Sequence, residues 1–222
     1  MEPWMWVGVV LVGGMFVIVV ACAVAAKRRT AAWQQAADAL GLEFLGKEND
    51  LLERFGHLRL LSVGLPGQFT NVVRGRTDDT EITIADFLYE VPRNERLNTY
   101  QQTVCILRSP QLQGPRCLVR PESRLGDLFG DLFCRQDIDF DDDPEFSAGY
   151  QLQGDDEEAV RAAFDAPTRA WFVQRNRKRF CFEADGDTLL FHTGRRISPR
   201  QTQQLMQQAL EILKLLGKRG DE

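Results

Sequence analysis

The sequence predicts an α+β fold: an N-terminal transmembrane helix, then a mainly antiparallel sheet with flanking helices. Three observations predict it. Val7 to Ala26 is a run of twenty residues without a charge or a proline. Strand candidates joined by short connections fill the middle of the chain, which favours antiparallel pairing. The last third interleaves amphipathic helical patterns with a tight hairpin around Asp185-Gly186.

As a helix, the apolar run spans about 30 Å, the thickness of a bilayer's hydrocarbon core. Trp4 and Trp6 precede it, where indole rings favour the headgroup layer, and Lys27, Arg28 and Arg29 follow it. These five residues are the expected flanks of the anchor. Positive charge favours the cytoplasmic side, so residues 1–29 read as anchor with basic collar. The short N-terminus is then expected outside the inner (cytoplasmic) membrane of a bacterium, and residues 30–222 form a cytoplasmic domain with a subdivision near 135–145. A cleaved signal peptide or a lipoprotein box at Cys22 is the rival reading. Small-residue patterns at Ala21-Cys22-Ala23 and Ala23-Val24-Ala25 favour it, but residues 1–6 lack the cationic start it needs.

Beyond the collar, residues 28–40 continue the helix, with Trp33, Ala36, Ala37 and Leu40 at helical spacing and Gly41 closing it in a left-handed turn. Leu42-Glu43-Phe44 predicts a short strand. Asn49 is the expected cap of a short helix carrying Leu51, Leu52 and Phe55, ended by Gly56. Strands follow at Phe69–Arg76, Glu81–Val91, Tyr100–Arg108 and Arg116–Arg120, with Thr77–Thr80 as a turn and the polar Pro92–Thr99 as a mobile loop. Ser123 opens a helix with Leu125, Leu128, Phe129 and Leu132 on one stripe. Phe146–Leu152 reads as a strand, and Asp155 with Glu158 as a capping box. Pro167 suits the first turn of a helix carrying Trp171 and Phe172. Phe180–Glu183 and Thr188–His192 form the hairpin. Ser198-Pro199-Arg200-Gln201 caps a final helix through Leu205, Ala209, Ile212 and Leu213 to Gly217.

Composition excludes several function classes. Lys+Arg number 27 against 32 Asp+Glu, a formal charge of −5, so a nucleic-acid coat is not expected. Five scattered cysteines do not make a disulfide scaffold and suit reduced thiols. The sequence holds no nucleophile elbow, Walker loop, dinucleotide glycine fingerprint or zinc-protease helix motif. His57 and His192 have no second histidine or Cys-x-x-C nearby. No catalytic residue and no cofactor is therefore assigned.

Two charged blocks remain. Asp137, Asp139 and Asp141 match the opening of a calcium loop, but the sixth position is Asp142 instead of glycine and the twelfth is Ala148 instead of glutamate. They are weak metal candidates, and a solvated acidic edge is the favoured reading because Ile138 and Phe140 alternate with them. Between Arg161 and Arg200 stand nine Lys/Arg against four Asp/Glu, with Arg175, Arg177, Lys178 and Arg179 bunched. This bunch is a candidate contact for anionic lipid or an acidic partner, set against a plain solvated helix end.

The order of parts carries a resemblance. The chain has one span, a basic collar, L-G-L-E-F-L-G at 40–46, Y-Q-Q-T-V-C-I-L at 100–107 and R-C-L-V-R-P-E at 116–122. D-P-E-F-S-A-G-Y-Q-L-Q-G-D-D-E-E-A-V-R-A-A-F at 143–164 and the D-G hairpin follow. This resembles a group of uncharacterised bacterial membrane-anchored proteins. More loosely, it is similar to a domain-of-unknown-function family with an F/Y-x-V-x-x-x-D-x-x-x-A-R helix entry, L-T-P and a strand hairpin. Ala166-Pro167 stands where that family has Thr-Pro, which removes a helix cap. The resemblance implies bacterial origin and a single pass, and carries over no site residue. Two expectations follow. The first is a non-catalytic module binding a protein partner or a membrane surface. The second is a metal-assisted enzyme or divalent-cation-binding domain using the acidic segment 137–145.

Overall fold

The computed structural model describes residues 3–48, 50–93, 95–121, 137–175 and 181–217, with side chains from Gly14 onward. A 38-residue helix, α1 (Pro3–Leu40), opens the chain and closes on Gly41 at φ +67°. Strand β1 (Glu43–Gly46), helices α2 (Leu51–Phe55) and α3 (Arg59–Ser62), and three long strands β2 (Leu65–Thr77), β3 (Thr80–Arg93) and β4 (Arg96–Arg108) follow. Then come β5 (Gly114–Pro121), α4 (Pro144–Gly149), β6 (Tyr150–Gly154), α5 (Glu157–Ala163) and α6 (Ala166–Gln174). The hairpin β7 (Cys181–Gly186) and β8 (Thr188–His192), a 3-10 turn at Pro199–Gln201 and α7 (Thr202–Gly217) complete it. The eight strands form one sheet in the order β1-β2-β3-β4-β8-β7-β5-β6. Every neighbouring pair is antiparallel, so the α+β class read from the sequence holds.

Alternation along the strands gives the sheet two apolar faces. On one, Ile82, Ile84, Cys105, Leu107, Val119, Phe182 and Phe191 pack against Trp33 and Ala37 of α1, Phe146 of α4, Phe172 of α6 and Leu205 and Ile212 of α7. On the other, Val72, Ala85, Phe87, Val104, Ile106 and Leu190 are covered by Leu51, Phe55, Leu58, Leu60 and Leu61 of the α2–α3 segment. Both faces are therefore dry, as a sheet with helices on each side requires.

Several elements differ from the sequence reading. Pro92–Thr99, expected as a loop, is the end of a long ladder in which Pro92 faces Leu97 and Arg93 faces Arg96. Tyr89 stacks near Phe87 and Tyr100, which holds the two strands together past the point where their composition turns polar. Glu95 takes φ +63° at the turn. Phe146–Leu152, expected as a strand, begins as α4: the Asp143 carboxylate accepts from the Phe146 amide, and Pro144 lies in the first turn. The cap of α5 is Asp156, accepting from the Ala159 amide, one residue beyond the expected Asp155. For α6, the Asp165 carboxylate accepts from the Thr168 amide, so replacing Thr by Ala166 costs no cap. The β7–β8 turn is Gly186-Asp187, since Asp185 pairs with Thr188. Ser198 and Gln201 form the expected capping box. The cap assigned to Asn49 and the helix assigned after Ser123 lie outside the described residues.

Candidate functional site

Strand β3 reads Ile82, Ile84, Asp86, Leu88 along its α1 face, so an acid occupies a core position. Asp86 is 4% exposed. Arg29 grips it with both ends of the guanidinium, Nε to Oδ2 at 2.7 Å and Nη2 to Oδ1 at 2.6 Å. Trp33 Nε1 donates to Oδ2 at 3.2 Å, Asn71 Nδ2 to Oδ2 at 2.9 Å and Thr103 Oγ1 to Oδ1 at 2.8 Å. Arg196 adds an ion pair at 3.6 Å. Burial alone would raise this carboxyl, but the hydrogen bonds and charge of Arg29, with Thr103 and Asn71, outweigh it and hold it below the usual carboxylate value.

Local backbone makes this cluster. Register shifts between Thr70 and Val73 of β2, and Asn71 sits there at φ +53°. A β-bulge re-aims the side chain it carries, and asparagine is among the few residues that tolerate the left-handed region. The Asn71 amide thus reaches Asp86 with its nitrogen while its oxygen accepts from Thr30 Oγ1 at 3.0 Å. On the other side, Thr103 Oγ1 accepts from the Ile197 amide at 3.1 Å, and Arg29 Nη1 donates to the Ile197 carbonyl at 3.0 Å. One carboxylate therefore clasps α1, three strands' worth of sheet contacts and the segment leading into α7.

The basic collar is split by this clasp. Lys27 and Arg28 are exposed, but Arg29 turns inward as a structural residue. The side chains of Trp4 and Trp6 lie outside the described residues. From Met15 to Val24 the large apolar side chains stand uncovered, 43–69% exposed. Among the described residues, no helix is long and apolar enough to cross a membrane. The span expected over Val7–Ala26 is thus not shown: the described side chains from Gly14 to Ala26 account for about 20 Å of the roughly 30 Å needed.

The acidic segment resolves into separate roles. Asp137 accepts from the Gln151 and Gln153 side-chain amides, whereas Asp139 and Asp141 are exposed. Asp142 and Asp143 bind the buried Arg169 at 2.7 and 3.0 Å, and that guanidinium lies 4.2 Å over the Phe140 ring. Among the described residues no cluster of three metal-ligating side chains occurs. Of the basic bunch, Arg175 stacks 4.0 Å over Trp171 and pairs with Glu211 at 3.7 Å. Arg177, Lys178 and Arg179 lie outside the described residues.

A second buried acid was missed by the sequence reading. Glu183, 2% exposed, accepts from the amides of Arg59 at 2.8 Å and Leu60 at 3.4 Å, tying α3 to β7. Burial pushes its carboxyl up, against the pull of these amides and of Arg116 and Arg59. His57 is exposed, and buried His192 accepts from the Gly194 amide at Nδ1. Burial pushes the Cys117 thiol up to about 12 and Cys105 further, so neither is a nucleophile. An open groove of about 500 Å³ lies at the β2–β3 turn, lined by Glu43, Arg74, Arg76, Asp79, Glu81, Arg108 and Asp187. Its charges are largely matched to one another or to neighbours, as in Arg74–Glu48, Arg54–Glu81 and Arg108–Asp187. Among the described residues that line it, the groove holds no nucleophile–base pair.

No family model and no curated protein sequence matches the chain. Among solved structures, it is similar to the crystal structure of the mycobacterial trehalose monomycolate transport factor A, TtfA. The TM-score is 0.56 at 16% sequence identity, over 85% of this chain and 93% of that one. What the two chains share is the fold: a mainly antiparallel sheet with flanking helices.

Proposed function

We propose that this chain is a non-catalytic interaction module, anchored in a membrane by α1 and binding a protein partner from the cytoplasmic side. The observation that carries it is the state of α1. Its apolar run from Met15 to Val24 is left exposed by the other described residues, yet the same helix is locked to the sheet four residues after Ala25, at Arg29. A large exposed apolar surface marks an interaction site. Here it continues in sequence into an uncharged run back to Val7 and ends at Lys27 and Arg28, the pattern of a cytoplasm-facing span. The clasp turns such an anchor into a rigid mount.

Orientation follows from contacts. Thr30 meets Asn71, and Leu42 packs onto Gly75 so closely that a Cβ has no room there. The helix therefore runs along β2, and its apolar part leaves the sheet at the end opposite the β2–β3 turn. With α1 in a membrane, the mixed-charge groove lined by residues of that turn is on the far side of the sheet from the bilayer, and it is the surface we assign to the partner. The similar structure belongs to a protein whose name is that of a transport factor, which supports an accessory role over catalysis.

Flotation tests the anchor: full-length chain mixed with phospholipid vesicles floats with them and resists extraction by alkaline carbonate. Recovery in the soluble fraction overturns the reading. A photo-crosslinking residue at Arg76 tests the partner half, with a discrete adduct expected in intact membranes. A floating chain that gives no adduct refutes a partner at the groove.

A further inference from the structure

Helix α7 ends beside the mixed-charge groove. Near its start, the Ile197 amide donates to Thr103 Oγ1 of β4 at 3.1 Å. Its far end is pressed on the β4–β5 connection, where a Cβ at Gly217 would meet the Gln111 carbonyl oxygen at 2.8 Å. The helix therefore runs along β4 from the level of Thr103 to just beyond Arg108. Pro110, the chain neighbour of Gln111, lines the groove together with Arg76, Asp79, Arg108 and Asp187. The chain after Gly217 thus leaves α7 at the edge of the groove.

The groove carries charges that the fold leaves open. Arg108 pairs with Asp187, Arg74 with Glu48 and Glu81 with Arg54. Among the described residues, the exposed Glu43, Arg76 and Asp79 of the groove have no ion pair. Register sets Arg76 opposite Glu81 and Glu81 opposite Arg108, all on the face away from Ile82 and hence away from α7. Asp79 stands in the turn between β2 and β3, at the end of the sheet. A segment coming from Gly217 passes Pro110, meets Asp79 at the turn, and reaches Arg76 once round the corner.

The sequence after Gly217 is Lys218-Arg219-Gly220-Asp221-Glu222, and these residues lie outside the described ones. Five extended residues span at most about 17 Å, against about 10 Å for the two strand spacings from β4 to β2. The charges come in the order in which the groove presents its own: two cations for Asp79, then two anions for Arg76. Gly220 between them suits a turn, since glycine adopts either sign of φ. Exposed ion pairs are weak one by one. A tether this short, however, holds the segment at an effective concentration on the order of millimolar.

We infer that residues 218–222 fold back over Pro110 into the groove, with Lys218 and Arg219 at Asp79 and with Asp221 and Glu222 at Arg76, and that they must leave before a partner binds. The competition rests on the groove being the partner's surface, whereas the seat of the segment does not. Full-length chain in detergent is treated with a water-soluble carbodiimide and mapped by peptide mass. An amide is expected between the Lys218 ammonium and Asp79 or another acid lining the groove. Arg76→Glu repels Asp221 and Glu222 while leaving the acids in place, and is expected to cut the yield at least threefold. Adding Asp221→Arg with Glu222→Arg restores it. Lys218 joined to no acid, only to acids outside the groove, or only to a second copy in a mixture of light and heavy-isotope chains overturns the inference. A yield indifferent to Arg76→Glu overturns it too. For the competition, a photo-crosslinking residue replaces Glu43 in full-length chain and in chain ending at Gly217, in intact membranes. The shorter chain is expected to give at least threefold more adduct. Equal adducts overturn the competition, and no adduct from either chain overturns the partner reading while the amide still decides the seat of the segment.

Discussion

Asp86 ties together more of the fold than any other single side chain among the described residues, because five donor atoms from three separate segments converge on one carboxylate. Removing one partner of a buried ion pair strands the other, at about 3–5 kcal/mol. Asp86→Ala is expected to destabilise the fold by that amount in urea unfolding. The pH dependence has a definite sign. A carboxyl held below its ordinary 3.8 contributes stability that is complete above that value and is lost as pH falls through the lower folded value. Glu183, pushed up, acts in the opposite sense, penalising the charged form and gaining stability as pH falls. Asp86→Asn should therefore flatten the loss of stability below pH about 4, and Glu183→Gln should remove the gain that accrues above that window, as pH falls from the raised Glu183 value to the ordinary 4.5. Asn71 offers a backbone test. Asn71→Ala loses two hydrogen bonds and meets left-handed strain of about 1–2 kcal/mol, whereas Asn71→Gly avoids the strain. The glycine variant should unfold at a higher urea midpoint than the alanine variant. Thiol reagents at pH 8 should leave Cys105 and Cys117 unmodified until the protein unfolds, since burial raises both pKa values.

At the scale of elements, α1 is two helices in one: an exposed apolar half and a docked half whose inward-facing stripe is the half-buried Arg29 with buried Trp33 and Ala37, four residues apart. That spacing is one face of a helix. The docked half begins at Arg29, so a domain boundary at residue 30 cuts through the clasp. A chain beginning at residue 30 should unfold at lower urea than one beginning at residue 27, by about 3 kcal/mol of lost pairing, and the Trp33 fluorescence should shift as its environment loosens. The β3–β4 hairpin shows a related misreading. Its polar end looks like a loop because apolar alternation stops at Val91, yet pairing continues to Arg93.

Over the whole molecule, the two ends of the sheet have different surroundings. One end carries the apolar helix and the hairpin tip, the other the mixed-charge groove. The acidic and basic blocks, distant in sequence, meet through Arg169 with Asp142 and Asp143. That pairing gives Asp142 and Asp143 a structural partner within the fold.

Much of the architecture was legible in the residues themselves. Alternation gave the strands, Gly41 and the Ser198–Gln201 box gave helix ends, and the uncharged run with its collar gave the expectation of an anchor. These are local signals, set by backbone geometry and side-chain period. The sequence reading passed over Asp86, although it stands as an acid on the apolar register of β3, and nothing local named its partners. Only the tertiary structure decided that Arg29 belongs to the core and not to the collar, that Asp142 and Asp143 serve Arg169, and that the hairpin and helix leave from one end of the sheet. A charge is assigned by the partner that desolvates it, and those partners lie 57 and 27 residues away along the chain, beyond the reach of any periodicity.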